Sequence, residues 1–283
     1  MEISFKGKEA RITGLAAFDP VHIFENGQAF RFTDVGDGVY EGVAFGHFLR
    51  VQKKEDTVCL FPVTEEEFAE IWRGYFDLDR DYAGLFVDCA DEALKRGCEY
   101  APGLRVLRQE PFETLISFII STNNNVKRIR GIIKKICEAC GTAFACEGGE
   151  YHAFPTPAQL AGMSEVQLKE CGCGYRAPYI LGTACAVLAG FNLDQLYDMP
   201  YESAKMELEQ LPGVGPKVAD CVLLFAYGKT QAFPADVWVR RVMKELYGVE
   251  DIKKIQSYAV ERFGAQAGIA QQYLFYYARE NGL

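Results

Sequence analysis

The chain has 283 residues, 49% hydrophobic and 24% charged, with a formal net charge of −9 and a pI near 5.0. That length can bury a substantial core, and it predicts one large domain or two modest ones. No apolar run approaches the roughly 18 residues of a membrane span, and Met1 to Arg11 lacks a basic-then-apolar leader, so a soluble intracellular protein with no membrane partner is expected.

The acidic excess lies in the first part of the chain. Residues 1–100 hold 11 Lys and Arg against 20 Asp and Glu, whereas residues 101–283 hold 19 of each. The second part is locally basic at Lys127-Arg128-Ile129-Arg130, at Lys134-Lys135 and around Arg240, Arg241 and Lys244. A neutral domain with basic edges is compatible with a polyanionic partner despite the overall charge.

In chain order, the text from Gln28 to Phe61 alternates like strands: Val39 to Glu41, Val43 to Phe45, Phe48 to Val51 and Thr57 to Leu60, broken by Gly36-Asp37-Gly38, Gly46 and Lys53 to Asp56. An acidic helix is expected from Glu65 to Arg73, and Ala101-Pro102-Gly103 marks a boundary near residue 100. Beyond it the period becomes helical. Val126, Ile129, Ile133, Ile136 and Cys140 form one apolar stripe, with Gly141 expected as the C′ glycine that ends the helix. Ser164 and Gln167 form a capping box, and further helices are expected from about Pro216 to Tyr227, Val237 to Tyr247, Ile252 to Phe263 and Ile269 to Glu280. The expected fold is α+β: an N-terminal antiparallel sheet domain over residues 1–100, then an all-α domain over residues 101–283.

The ten cysteines sit in apolar or helical text and read as free thiols of a reducing compartment. Thiolates a few residues apart can close around zinc, as Cys137, Cys140 and Cys146 or Cys171 and Cys173 would. Against this, Cys137 and Cys140 fall inside the amphipathic helix and no histidine accompanies them at finger spacing, so no metal site is expected.

The most informative segment is Leu211-Pro212-Gly213-Val214-Gly215-Pro216-Lys217. Gly213 and Gly215 around Val214 permit a tight turn whose backbone N–H groups face outward, and Pro216 suits the first position of a helix whose positive end can face a phosphate. An ordinary helix-turn-helix connection would use similar residues. Nineteen residues after Lys217, beyond an apolar helix and a connector containing Pro234, Asp236 stands immediately before an amphipathic helix. Its default role there is an N-cap, as the default for Lys217 is a surface lysine.

This order of hairpin, lysine, helix and aspartate resembles the helix-hairpin-helix DNA glycosylases, and a lysine at position 217 resembles their bifunctional glycosylase/lyase members. The resemblance implies that Lys217 attacks the sugar carbon C1′, expelling a base, and that the resulting Schiff base permits elimination of the 3′ phosphate. An amine does this only when deprotonated, which partial burial and the positive end of a helix favour. A carboxylate at Asp236 would stabilise the positive charge developing on the sugar.

Ser117 to Asn125, Cys171-Gly172-Cys173-Gly174-Tyr175-Arg176-Ala177 and Gly27-Gln28-Ala29-Phe30-Arg31 narrow the resemblance to the eukaryotic-type 8-oxoguanine DNA glycosylases over most of the chain. It implies that the Gly27 carbonyl accepts from N7–H of the oxidised base, where normal guanine presents an acceptor. Gln271 would read the Watson–Crick edge, with Cys221 and Phe275 sandwiching the flipped ring. Asn123 would fill the vacated space and Tyr175 wedge beside it. Arg128 and Arg176 would hold the orphaned cytosine. On composition alone Gly27 is a turn glycine, Cys221 and Phe275 are core, Arg128 belongs to a solvated face and Tyr175 is a surface aromatic. Two departures are visible. Trp238 stands where animal members carry a histidine, and after Lys217 the only cysteine is Cys221, so the C-terminal four-cysteine cluster of the endonuclease III branch cannot be built.

The expected partner is duplex DNA containing an oxidised purine, bound by a monomer located with the nucleoid in a bacterial cytoplasm or in a eukaryotic nucleus. No cofactor is required; the hairpin carbonyls are a candidate seat for a monovalent cation. A glycosylase/lyase for another oxidised base would share Lys217 and Asp236 without needing Gly27 or Gln271, and a non-enzymatic DNA-gripping module would need only the hairpin.

Overall fold

A computed structural model describes residues 1–282. Six antiparallel strands form the N-terminal sheet: β1 (Glu2–Lys6), β2 (Glu9–Thr13), β3 (Thr33–Asp34), β4 (Val39–Ala44), β5 (His47–Lys54) and β6 (Thr57–Phe61), in the order β1-β2-β6-β5-β4-β3. Alternation sets the faces: Ala10 and Ile12 of β2 are buried on the same side as Val58 and Leu60 of β6, and the register pairs Ala10 with Leu60 and Tyr40 with Val51. That face packs on Trp72, Phe76 and Phe24, whose ring stacks on Phe32 at 4.2 Å. The acidic helix forms at Glu65–Glu67, behind a Thr64–Glu67 capping box, and continues to Tyr75 through one wider turn over Phe68–Trp72.

The apolar cluster under the sheet ends at Leu78 and takes only Leu107 from later in the chain. Tyr82, Leu94 and Ala101 belong instead to the helical core. The helix Glu92–Tyr100 lies against the last helix, Ala267–Asn281, so closely that a Cβ on Gly97 would sit 3.1 Å from the Tyr273 carbonyl carbon. Residues 92–100 therefore pack with the helical body, ahead of the Ala101-Pro102-Gly103 turn.

That body is helical apart from one hairpin, β7 (Ala143–Cys146) with β8 (Gly149–His152), too short to declare itself by alternation. It leans on the N-terminal sheet through Tyr151, 4.4 Å from the Phe48 ring. The helix Val126–Cys140 buries Ile129, Ile132, Ile133, Ile136 and Cys137. Its closing Gly141 is not left-handed, because φ is −75°. A glycine is required there because a Cβ would collide with the Ala153 carbonyl and lie 2.6 Å from that of Cys137. The helices that frame the site are Pro111–Ser121, Pro216–Phe225, Val237–Tyr247 and Ala267–Asn281. Phe118 of the first stacks on Phe225 of the second at 5.3 Å, and Ser121 at the end of the first meets Lys217 at the beginning of the second.

Candidate active site

Gly213 adopts φ +77°, and a Cβ there would lie 2.6 Å from Tyr179 Cβ, so both the turn and its packing exclude a side chain. The hairpin is held from behind: Thr183 Oγ1 donates to the Pro212 carbonyl at 2.8 Å, Val214 N to the Leu211 carbonyl at 3.1 Å, and the Val214 side chain is buried. Gly215 is extended and exposed, Pro216 opens the helix Pro216–Phe225, and no side chain caps its first turn. The first-turn amides thus remain available to an anion.

Lys217 follows at the second helical position, partly buried, its Nζ 3.2 Å from Ser121 Oγ and 5.2 Å from the centre of the Phe118 ring. Asp236 caps the helix Val237–Tyr247, accepting from Val239 N at 2.8 Å. Both line one pocket that opens to solvent. Cys221, one turn beyond Lys217, lines it too. Burial pushes its thiol up to about 12, against the opposing pull of Lys217, so the sulfur stays protonated at neutral pH and serves as packing surface.

The opposite wall is built from Asn26, Gly27, Gln271, Gln272 and Phe275. Gly27 has φ +82° and lies against Phe275, whose Cε1 would be 3.7 Å from an added Cβ. Two buried amides hold it. Asn26 Nδ2 donates to the His22 carbonyl and its Oδ1 accepts from Gln28 N, closing a turn over Gly27. Gln28 Nε2 donates to the carbonyls of Ile23 and Arg105, at 2.9 and 2.7 Å, and its Oε1 accepts from Leu107 N at 2.8 Å. Every polar atom of the Gln28 side chain is therefore engaged in fixing the segment that carries Gly27. Asn26, Gln272 and Phe225 stand out nowhere in the sequence, and Gln28 and Phe118 only as members of the Gly27 to Arg31 and Ser117 to Asn125 motifs, with no role of their own. An Asn before a turn glycine is the one signal that could have found the first.

A second cluster forms where Pro111–Ser121 ends, two residues beyond the serine that touches Lys217. Exposed Asn123 has φ +48°. Arg176 is 3% exposed, and its guanidinium donates to the carbonyls of Thr122, Asn123 and Cys173. Tyr175, 56% exposed, reaches the Thr122 carbonyl with its hydroxyl at 3.3 Å, and Arg176 stacks on its ring at 4.4 Å. Arg128 projects from the first turn of Val126–Cys140, exposed, beyond the Asn125 cap. The structure thus brings Asn123, Tyr175 and Arg176 together, with Arg128 on the neighbouring helix mouth. Trp238 lies in the first turn after Asp236, 37% exposed beside Val237 at 79%.

Residues 12–115 match the family model of the 8-oxoguanine DNA glycosylase N-terminal domain, and residues 116–263 that of the HhH-GPD superfamily base excision DNA repair protein. Fold and site together define a base excision repair protein of the helix-hairpin-helix class. The chain is 35% identical over 230 residues to a probable N-glycosylase/DNA lyase of Methanothermobacter thermautotrophicus, covering 74% of each. An N-glycosylase/DNA lyase of Arabidopsis thaliana is 33% identical over 89% of this chain and 75% of its own. The crystal structure of the Clostridium acetobutylicum 8-oxoguanine glycosylase/lyase, bound to duplex DNA with cytosine opposite 8-oxoguanine, superposes with a TM-score of 0.97 at 40% identity, over 100% of this chain and 99% of that one. The chain belongs to the 8-oxoguanine DNA glycosylase family of the HhH-GPD superfamily.

Proposed function

We propose that this protein is a bifunctional DNA glycosylase and abasic-site lyase that removes 8-oxoguanine, preferably opposite cytosine, from duplex DNA. The observation that carries the reading is the opposition of Lys217 and Asp236 to Gly27 and Phe275 across one pocket, with the hairpin amides beside it. The duplex is gripped through the hairpin and basic edges, and the damaged nucleotide is flipped into the pocket.

The Lys217 Nζ lone pair forms the new bond at C1′. The bond from C1′ to the base breaks, and its electron pair leaves with the base, which takes up a proton. Asp236 stabilises the cationic sugar as that bond weakens. Ring opening gives a C1′ imine on Lys217. The imine acidifies the C2′ proton, and loss of that proton expels the 3′ phosphate, nicking the strand. Water then hydrolyses the imine and frees Lys217. Discrimination against guanine rests on the Gly27 carbonyl, which meets N7–H of the lesion but an acceptor on the normal base.

An amine and a carboxylate carry this sequence without a catalytic metal, and a monovalent cation at the hairpin carbonyls would act only on DNA binding. The active species is a monomer on one duplex, located wherever the chromosome is. No described helix is long and apolar enough to cross a membrane.

The test is a panel of duplexes, each with one lesion, scored separately for base release and nicking. Fastest release of 8-oxoguanine opposite cytosine supports the proposal. Preferred release of an oxidised pyrimidine would assign the site to another lesion, and tight binding without cleavage would leave a DNA-gripping module.

A further inference from the structure

Gln271 and Gln272 are adjacent on the helix Ala267–Asn281, and both line the pocket, on either side of Phe275 one turn later. Both are buried, 4% and 3% exposed, and the side-chain oxygen of each is enclosed without a hydrogen-bond partner. Buried amide oxygens nearly always have partners, because the water they give up must be replaced. Two unpartnered side by side at a ligand pocket mark where a ligand supplies the donors. Their neighbour Asn26 supplies none: its Nδ2 is committed to the His22 carbonyl.

The Watson–Crick edge of an oxidised guanine carries two adjacent donors, the ring N1–H and the exocyclic 2-amino group. An adenine-type edge has a bare N1 acceptor in place of the first and no 2-amino group. Resting on the base-pocket reading above, we propose that Gln272 is a second base-reading residue, whose side-chain oxygen accepts from the 2-amino group while Gln271 addresses N1–H. The pocket then identifies the lesion from two sides, N7–H at Gly27 and the guanine edge at the paired glutamines. A site whose buried acceptor is satisfied by the substrate rejects an analogue lacking that donor, since the acceptor is then stranded.

The test compares 8-oxoguanine with 8-oxohypoxanthine, which lacks only the 2-amino group, each opposite cytosine, in single-turnover base release by the parent and by Gln272→Met and Gln272→Ala. A pre-formed abasic site, whose cleavage does not use the base pocket, serves as the control substrate. The parent should release 8-oxoguanine about tenfold or more faster than the deaminated base. Both variants should release the two bases at nearly equal rates, with 8-oxoguanine release falling by more than abasic-site cleavage. An unchanged ratio in the variants overturns the assignment. So does parallel loss of abasic-site cleavage in both, which would make Gln272 a packing residue. Failure of the parent to release 8-oxoguanine at all would instead remove the base-pocket reading on which this rests.

Discussion

The Arg176 guanidinium donates to the Asn123 carbonyl at 2.9 Å and, through Nε, to the Thr122 carbonyl at 2.9 Å, so a buried cation closes the negative end of the helix Pro111–Ser121. This contact anchors the carbonyl of Asn123, which adopts a left-handed conformation with φ +48°. Arg176 is thus committed to protein carbonyls, and addressing an orphaned cytosine requires it to exchange some of them for the base.

Replacing Arg176 should therefore damage two properties together. Arg176→Lys keeps the charge but not the planar fork, and Arg176→Ala keeps neither. Both should slow excision opposite cytosine by roughly 10- to 100-fold and shrink the preference for cytosine over adenine. Single-turnover rates opposite each of the four bases give the answer, and a parent that cleaves equally opposite all four would remove the basis for the assignment.

Arg31 and Glu113 form an ion pair of 3.2 Å that ties the Gly27 segment to the helix carrying Phe118 and Ser121. Burial, reinforced by Glu110 and opposed by Arg31, raises the Glu113 carboxyl from its ordinary value near 4.5 to about 7. Between those values the folded protein holds a proton that the unfolded chain has released. The contribution to stability is complete below about 4.5 and is lost as pH rises through about 7. Glu113→Gln should abolish this slope. Between pH 5.5 and 8 the parent should lose stability relative to the variant, on the order of 2 kcal/mol. Denaturant midpoints for both proteins decide it, and parallel pH profiles would show that Glu113 is ionised throughout.

How much was legible follows from where the signal resides. Asp236 before Val237–Tyr247 and Lys217 behind the glycine turn are local, so a linear pattern carries them, and the helix limits at Val237, Tyr247, Ile252 and Phe263 are flanked by the cap residues Asp236, Gly248, Asp251 and Gly264. The strands β1 and β2 give no alternation signal because each is five residues long and rich in charge; only the pairing of β1 with β2 and of β2 with β6 makes Ile3, Ala10 and Ile12 a face. Gly27, Gln271 and Phe275 were legible only through family resemblance, since nothing local separates them from a turn glycine and a helix core. Gln28 is legible only as part of the Gly27 to Arg31 motif and Gln272 not at all, because saturation of one amide and stranding of the other exist only once residues 28, 105, 107 and 272 are placed in space.

Lys217→Gln should abolish borohydride trapping of a protein–DNA adduct, since an amide nitrogen has no free lone pair for C1′. Binding to a damaged duplex should persist, because the hairpin amides, Arg128 and Arg176 are untouched. Gel-shift affinity and trapping yield measured on the same preparation separate the two effects. An adduct formed at the parent rate would place the nucleophile elsewhere.

Asp236 presents a sharper separation, because one side chain has two roles that different substitutions divide. Its carboxylate caps Val237–Tyr247 through Val239 N at 2.8 Å, and it lines the pocket with Lys217. Asparagine caps nearly as well as aspartate but brings no charge, whereas alanine loses both and should cost about 1 kcal/mol of stability. If the charge acts on the cationic sugar, Asp236→Asn should leave thermal stability close to that of the parent while slowing base release by about 10²–10³. Asp236→Ala should be slowed to a similar extent and destabilised as well. Cleavage of a pre-formed abasic site should suffer less than base release in both, because the bond whose breakage creates the cation is already gone. The measurements are single-turnover base release, abasic-site nicking and a melting curve for each variant. A stable Asp236→Asn that releases base within a few-fold of the parent rate would reduce Asp236 to a helix cap and leave the sugar cation without its counter-charge.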